Sequence, residues 1–369
     1  MESVSILQIV SGFKPATDGM GDFARLLGDK LWRTHQIRSH FLVYKKPQTA
    51  FDAAEIAPNT ISYPAEATPE ACLAEATALT QQQGLRFALL HYGAYAYSKT
   101  GNPARFCQAM ADVASQLNLL TFFHENYASG PPWNRAFWTK REQQHSLKLL
   151  QSASKTAFTS NEKFVRILSR TQPAGRPLIR VPIFSNMGEP QTLAPLSERK
   201  RQMIVFGQLP TRVRLYKART ALEDLCRLLR IESIVDVGSG GDDQIAASIA
   251  GVPVRRAGWL DEPQVSALMA DSIAGVIGYW PDVWEKSGVI AAYEAHALLP
   301  ILVPLTKRSL PKPAYVPYVE IKDLERLRGA DGKVPDEKVQ AIVNKSHEYY
   351  IANQSLDRCA QVIASCILS

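Results

Sequence analysis

Pro190-Gln-Thr-Leu-Ala-Pro195-Leu-Ser-Glu-Arg-Lys-Arg-Gln-Met203-Ile-Val-Phe-Gly207-Gln208 decides how this chain of 369 residues is built. The segment continues proline-rich text that starts at Gln172, crosses a charged patch at 197–201, and ends in an apolar run closed by glycine. Proline fixes φ and removes a backbone donor, so neither a helix nor a central strand runs through this text. The apolar run 203–207 therefore opens a new strand and a new core. Toward the N-terminus, the apolar runs 5–10, 39–44, 87–91, 119–124 and 156–159 read as strands separated by helical text such as 22–34. Toward the C-terminus the alternation returns: strand 234–237, helix 264–270, strand 275–278, helix 289–297, strand 301–304, and helical text from about 337 onward. Strand alternating with helix predicts parallel sheets covered on both faces. Two such units in succession predict a cleft between them, and folds of this class bind ligands outside the carboxyl ends of their strands.

Composition narrows the class. Hydrophobic residues at 46% beside 21% charged residues describe a globular chain and exclude a disordered or fibrous one. No apolar run reaches the roughly 18 residues a membrane helix needs. The first apolar run has no basic flank, so it reads as a strand and not as a signal peptide. The five cysteines are scattered and lack CxxC spacing, which fits a reducing cytoplasm and neither a disulfide framework nor a zinc site. Net charge is +7, and residues 1–190 hold about 20 Lys and Arg against about 14 Asp and Glu, so the excess sits in the N-terminal half. No dense basic block marks a nucleic-acid interface. A cytoplasmic protein is expected, with peripheral contact to the inner face of a membrane left open.

Four segments carry chemistry. In Ser11-Gly-Phe-Lys-Pro-Ala-Thr-Asp-Gly19-Met-Gly21-Asp, glycines let the backbone approach a ligand and the following helix N-terminus offers N–H groups to a phosphate, although a plain tight turn explains them as well. Leu119-Leu-Thr-Phe-Phe-His124-Glu125-Asn126-Tyr127 places a histidine at the end of an apolar strand, and His91 closes the previous strand in the same way. Trp284-Glu285-Lys286-Ser287-Gly288-Val289 leads into a helix whose N-cap is Ser287 and whose first N–H groups suit an anion. Glu294, farther along that helix, is placed to accept hydrogen bonds from a ribose diol; a salt-bridged core glutamate is the plainer reading. Val205-Phe-Gly207-Gln208 precedes Arg212, Arg214 and Lys217, cations that suit a diphosphate as well as a solvated basic loop does.

Ile234-Val-Asp236-Val-Gly238-Ser-Gly240-Gly241 resembles the glycine-rich motif of S-adenosylmethionine-dependent methyltransferases. That fold wants an acidic residue closing the next strand to hold the ribose, and Val252-Pro-Val-Arg-Arg256 is basic there.

In this order, these segments resemble the retaining enzymes of glycosyltransferase family 4, over nearly the whole chain. The resemblance implies the α/β GT-B fold, with two Rossmann-like domains facing each other across a cleft. Residues 1–195 would form the acceptor-binding domain, 196–340 the nucleotide-sugar domain, and 341–369 a C-terminal helix crossing back onto the first. It implies a glycine loop at Gly19 and Gly21 under the donor phosphates, and a strand-end histidine, His124, at the sugar. Gln208, Arg212 and Lys217 would lie at the diphosphate, with Ala257-Gly258-Trp-Leu260 near the nucleobase. Glu294-Ala-His-Ala-Leu-Leu-Pro300 matches the family's Glu-Ala-x-Ala-x-Gly-x-Pro stretch, with its glycine replaced. Gln208 stands where the family has arginine, and Lys286 stands where it has the first of two glutamates.

The implied activity is metal-independent, retaining transfer of a sugar from a nucleoside-diphosphate sugar, with no further cofactor, to a sugar, lipid-linked or small-molecule acceptor. His124 and Lys286 would act at the reacting sugar, and Gly19, Gly21, Gln208, Arg212, Lys217, Ser287, Gly288, Val289 and Glu294 would bind the donor. No Asp-x-Asp pair is present to carry a divalent cation. The alternatives are a nucleotide-sugar epimerase of the same fold and a catalytically degenerate sugar-binding subunit.

Overall fold

The computed structural model describes residues 4–13, 19–46, 56–128, 130–241, 243–306 and 315–369. The chain divides into two compact units, 1–182 with 356–369, and 183–355. The proline-rich text from 183 onward thus falls in the second unit, and only the last helix of the chain belongs to the first.

In the first unit β1 (Val4–Val10), β2 (Ile37–Val43), β3 (Thr60–Ser62), β4 (Phe87–Tyr92), β5 (Asn118–Phe123), β6 (Thr156–Thr159) and β7 (Leu178–Arg180) form one sheet of order β3-β2-β1-β4-β5-β6-β7. Every pairing in it is parallel. The central strands are buried on both faces, which is why they read as unbroken apolar runs. Helix α1 (Gly19–His35) follows β1 and lies unusually close to the sheet. A Cβ on its Gly28 would sit 2.6 Å from Phe41 Cζ, so no larger residue fits there. The remaining helices are α2 (Pro69–Gln83), α3 (Ala94–Tyr97), α4 (Ala104–Val113), α5 (Arg135–Ala153) and α6 (Glu162–Leu168).

The second unit repeats the design with β8 (Lys200–Phe206), α7 (Leu209–Tyr216), α8 (Arg219–Leu229), β9 (Ser233–Val237), β10 (Ser248–Ile249), β11 (Val252–Gly258), α9 (Glu262–Ala270), β12 (Ser272–Tyr279), α10 (Gly288–Ala295), β13 (Leu299–Pro304), α11 (Ile321–Leu327) and α12 (Asp336–Asn353). Its sheet order is β10-β11-β9-β8-β12-β13, parallel except for the short β10–β11 pair. In both sheets the chain starts in the middle, builds one half and returns to build the other. Each sheet therefore has a point where strand order reverses, between β1 and β4 and between β8 and β12. Loops at the carboxyl ends of those strand pairs diverge and leave room for a ligand.

The helical text at the end of the chain is broken at Gln354 and Ser355 into α12 and α13 (Leu356–Leu368). Helix α13 packs on α1 through an apolar face that includes Cys359, Ile363 and Ile367, with Lys30 and Asp357 paired at 2.6 Å.

Candidate functional site

In the first unit the reversal point is built from the end of β1, the start of α1 and the ends of β4 and β5. Gly21 is imposed by a close approach: a Cβ there would lie 2.1 Å from the carbonyl oxygen of Gly12. Gly19, by contrast, faces open space, with nothing within 4 Å of an added Cβ. Residues 14–18 of the glycine loop lie outside the described residues.

His124 follows β5 directly, and its N–H donates to Tyr92 O at 3.0 Å, tying it to the end of β4. Its ring stacks on Phe122 at 4.4 Å and meets the edge of Phe23 at 5.0 Å. His91 Nδ1 lies 3.1 Å from His124 Nε2, and His91 Nε2 lies 2.9 Å from Gln8 Oε1. Gln8 Nε2 donates in turn to Ser39 Oγ at 2.8 Å. Desolvation pushes the His91 pKa down to about 3, so this fully buried ring is neutral at physiological pH. Two residues past His124, Asn126 is buried with both side-chain polar atoms unpartnered. Gln8 and Asn126 were not singled out from the sequence. Gln8 was marked only as a polar residue in an apolar strand, and Asn126 lies in the polar text that follows β5.

In the second unit, Gly207 ends β8 with φ +135°, a conformation that favours glycine. A Cβ there would approach Val289 at 3.7 Å, so the β8 turn and the start of α10 meet at the reversal point. Ser287 caps α10, its Oγ accepting from Ile290 N at 3.3 Å. Gly288 and Val289 occupy the first turn, whose N–H groups have no partner within the helix. Lys286 immediately precedes this cap at the end of a short 3-10 turn. Asn186, which the sequence reading passed over, comes beside Gly288: its Oδ1 would lie 3.6 Å from an added Cβ. Gln208 is the N-cap residue of α7, next to the Gly207 turn. Gln208, Lys286, Ser287, Gly288 and Val289 are therefore gathered around one carboxyl edge.

Of the other expected donor contacts, Arg212 and Glu294 are buried and Lys217 is exposed. Arg212 is 1% exposed and ion-paired with Asp236. Its Nε donates to Gly207 O at 2.9 Å, and its Nη2 to Ser239 O at 2.5 Å and Gly240 O at 3.2 Å. Burial works to raise the Asp236 pKa and Arg212 opposes it; because guanidinium stays charged, the pair is ionic. The arginine thus holds the β8 turn and the 238–241 loop from inside. This also accounts for the glycine-rich motif, since a Cβ at Gly238 would lie 2.7 Å from Arg212 Nε. Lys217 is exposed at the C-cap of α7, whose last turn lies against the end of β12, with Leu215 Cα 3.6 Å from a Cβ built on Gly278. Arg214 also reaches the β12 edge, its guanidinium stacking over Trp280 at 5.5 Å. Glu294 is enclosed: it is 0% exposed, with Oε2 accepting from Gln354 Nε2 at 2.5 Å and Oε1 unpartnered. Desolvation, with Glu285 nearby, raises its pKa well above the usual carboxylate range.

Among the described residues no cluster of metal-ligating side chains occurs, and no helix is long and apolar enough to cross a membrane. No family model matches the chain. No curated protein matches it in sequence. Solved structures do match, over essentially the whole chain. A glycosyltransferase from Rickettsia africae ESF-5 is 13% identical, with 100% of each chain covered and a TM-score of 0.63. An alpha-glucosyltransferase in complex with UDP and a 13-mer DNA is 10% identical, with 100% of each covered and a TM-score of 0.61. WaaG, a glycosyltransferase involved in lipopolysaccharide biosynthesis, is 12% identical, with 98% of this chain and 99% of that chain covered and a TM-score of 0.58. At such identities the likeness carries the fold: this is an α/β chain with two Rossmann-like sheets of the GT-B type.

Proposed function

We propose that the protein transfers a sugar from a nucleoside-diphosphate sugar to an acceptor, without a metal ion and with retention at the transferred carbon. The observation that supports this most directly is the α10 N-terminus. Ser287, Gly288 and Val289 sit against the Gly207 turn, and Lys286 precedes the cap. Free N–H groups, the positive end of a helix and a nearby ammonium suit a diphosphate and the charge that builds on it as it leaves. Arg214 adds a second cation at the β12 edge. On the first unit, His124 would meet the donor sugar near the reacting carbon. Structural neighbours that bind UDP support the donor class by analogy of fold.

Calorimetry with UDP, GDP, ADP and dTDP, followed by turnover of the matching sugar donors in excess chelator, tests the reading. Micromolar binding of one diphosphate and turnover that survives chelation are expected. Loss of turnover that Mg²⁺ or Mn²⁺ restores would remove the metal-free part, and absence of binding to any of the four would remove the function.

The acceptor is proposed to be lipid-linked. The start of α5 exposes Trp133 (87%), Trp138 (71%) and Phe137 (44%) beside the exposed cations Arg135, Arg141 and Lys148, with one acid, Glu142, among them. Indole rings and basic side chains together suit the headgroup layer of an anionic bilayer. Sedimentation with phosphatidylglycerol vesicles, lost in Trp133→Ser/Trp138→Ser and absent with phosphatidylcholine vesicles, is the expected result. Equal recovery with and without vesicles would leave a soluble acceptor.

A further inference from the structure

Gln8 and His91 have no part in the donor contacts above, yet both are fully buried and both are hydrogen-bonded in line with His124. The chemistry of the groups sets the direction of each bond. Gln8 spends Nε2 on Ser39 Oγ, which leaves Oε1 against His91 Nε2. An amide oxygen only accepts, so His91 Nε2 carries the ring proton. In a neutral imidazole Nδ1 is then bare and accepts, and the atom 3.1 Å from it is His124 Nε2. That nitrogen must supply the hydrogen. Ser39 is itself anchored through its backbone. The Ser39 N–H donates to Asn59 Oδ1 at 2.8 Å, and Asn59 Nδ2 donates to Asp29 Oδ1 at 3.2 Å on α1. Space for the relay comes from Gly28, where a Cβ would lie 3.2 Å from Gln8 Nε2. Phe23 and Phe122 pack on the two imidazoles and keep water from competing for the bonds.

We propose that His91, oriented by Gln8, is a positioning residue that holds His124 in its Nε2–H tautomer and so fixes the ring at the end of β5. The consequence for turnover rests on the glycosyl-transfer reading; the tautomer itself does not.

Selective ¹⁵N-histidine labelling of the full chain, with His124→Ala to assign the ring, reads the tautomer by two-bond nitrogen–proton correlation without any substrate. The wild-type protein should show His124 and His91 both protonated on Nε2. His91→Leu should leave His124 as a mixture of tautomers, Gln8→Leu should loosen both rings, and His91→Asn, which retains an acceptor near the position of Nδ1, should restore the Nε2–H form. In turnover, His91→Leu should lower kcat on the order of tenfold with donor KM nearly unchanged, and His91→Asn should recover most of it. Wild-type His124 protonated on Nδ1, or a tautomer indifferent to His91→Leu, would overturn the lock. The wild-type spectrum decides this even where a core variant does not fold. A tautomer that responds while kcat stays unchanged would instead overturn the role at the sugar, leaving the lock standing.

Discussion

The two units share a strand order but furnish their reversal points in opposite ways. Behind the end of β5 in the first unit lies a relay of uncharged groups, Asn59, Ser39, Gln8 and His91, which meets a carboxylate only at its outer end, Asp29, and whose ring His91 is held neutral. Behind the end of β8 in the second lies an ion pair, Arg212 with Asp236, at 1% and 2% side-chain exposure. A neutral relay sets the orientation of a side chain without imposing a field. A buried ion pair anchors two loops at once, and because its charges cancel locally it leaves the net potential outside to Lys286, Arg214 and the α10 N-terminus. The two reversal points thus present different chemistry, uncharged polar groups in the first unit and cations with a helix N-terminus in the second.

The largest effect should come from breaking the ion pair. Arg212→Ala strands Asp236 in the interior and should cost about 3–5 kcal/mol in denaturant unfolding of the second unit. Arg212→Met with Asp236→Leu should recover much of that, as loss of both charges removes the uncompensated one. A single variant as stable as wild type would mean the pair anchors nothing. Next in size, His124→Ala should lower kcat on the order of 10²-fold, about 2.7 kcal/mol, with nucleoside-diphosphate affinity little changed. A folded, fully active variant would take His124 out of the site.

The relay should also show itself in acid. Burial holds the His91 pKa down at about 3 in the folded chain, below the ordinary 6.5, so the unfolded chain binds the extra proton between those values and stability falls as pH drops through that window. Between pH 6.5 and 5 the loss should be about 2 kcal/mol, and His91→Asn should flatten that limb. A wild-type protein equally stable at both pH values would contradict the neutral ring. The smallest effect separates two cations. Arg214→Ala should weaken nucleoside-diphosphate binding by about 1.5 kcal/mol, the lower range for a charge-assisted hydrogen bond, and Lys217→Ala by less than about 0.5 kcal/mol. The reverse order would make Lys217 the stronger of the two contacts.

How legible these features were in the sequence depended on the range of the forces that made them. β1, β4 and β5 were readable because burial on both faces demands unbroken apolar runs. β11 was harder, since none of its residues is fully buried and Arg255 and Arg256 interrupt its apolar text. Helix α7 was hidden by Pro210 and its basic residues, which read as loop. The Ser287 cap was visible because an N-cap is set by neighbours three residues apart. Arg212 was not, because its partner Asp236 lies 24 residues on and only tertiary packing decides that this arginine, and not Arg214, turns inward. The same holds for Glu294, whose burial is completed by Gln354, 60 residues later. Gln8 looked like a blemish in an apolar strand until Ser39 and His91 were seen on either side of it.

Helix α13 has a consequence for how the chain is made. The first unit runs to Pro182 and resumes at Leu356, so 356 − 182 = 174 residues of synthesis separate the bulk of that unit from the helix that covers α1. At about 5–20 residues per second, a ribosome spends roughly 10–35 s on that interval. For that time the surface of α1 against which Cys359, Ile363 and Ile367 later pack is uncovered on the nascent polypeptide. The second unit, contiguous from Ile183 to Ser355, has no such wait once its own residues have emerged. The half begun first is thus the half finished last, and chaperone demand during translation should fall on it.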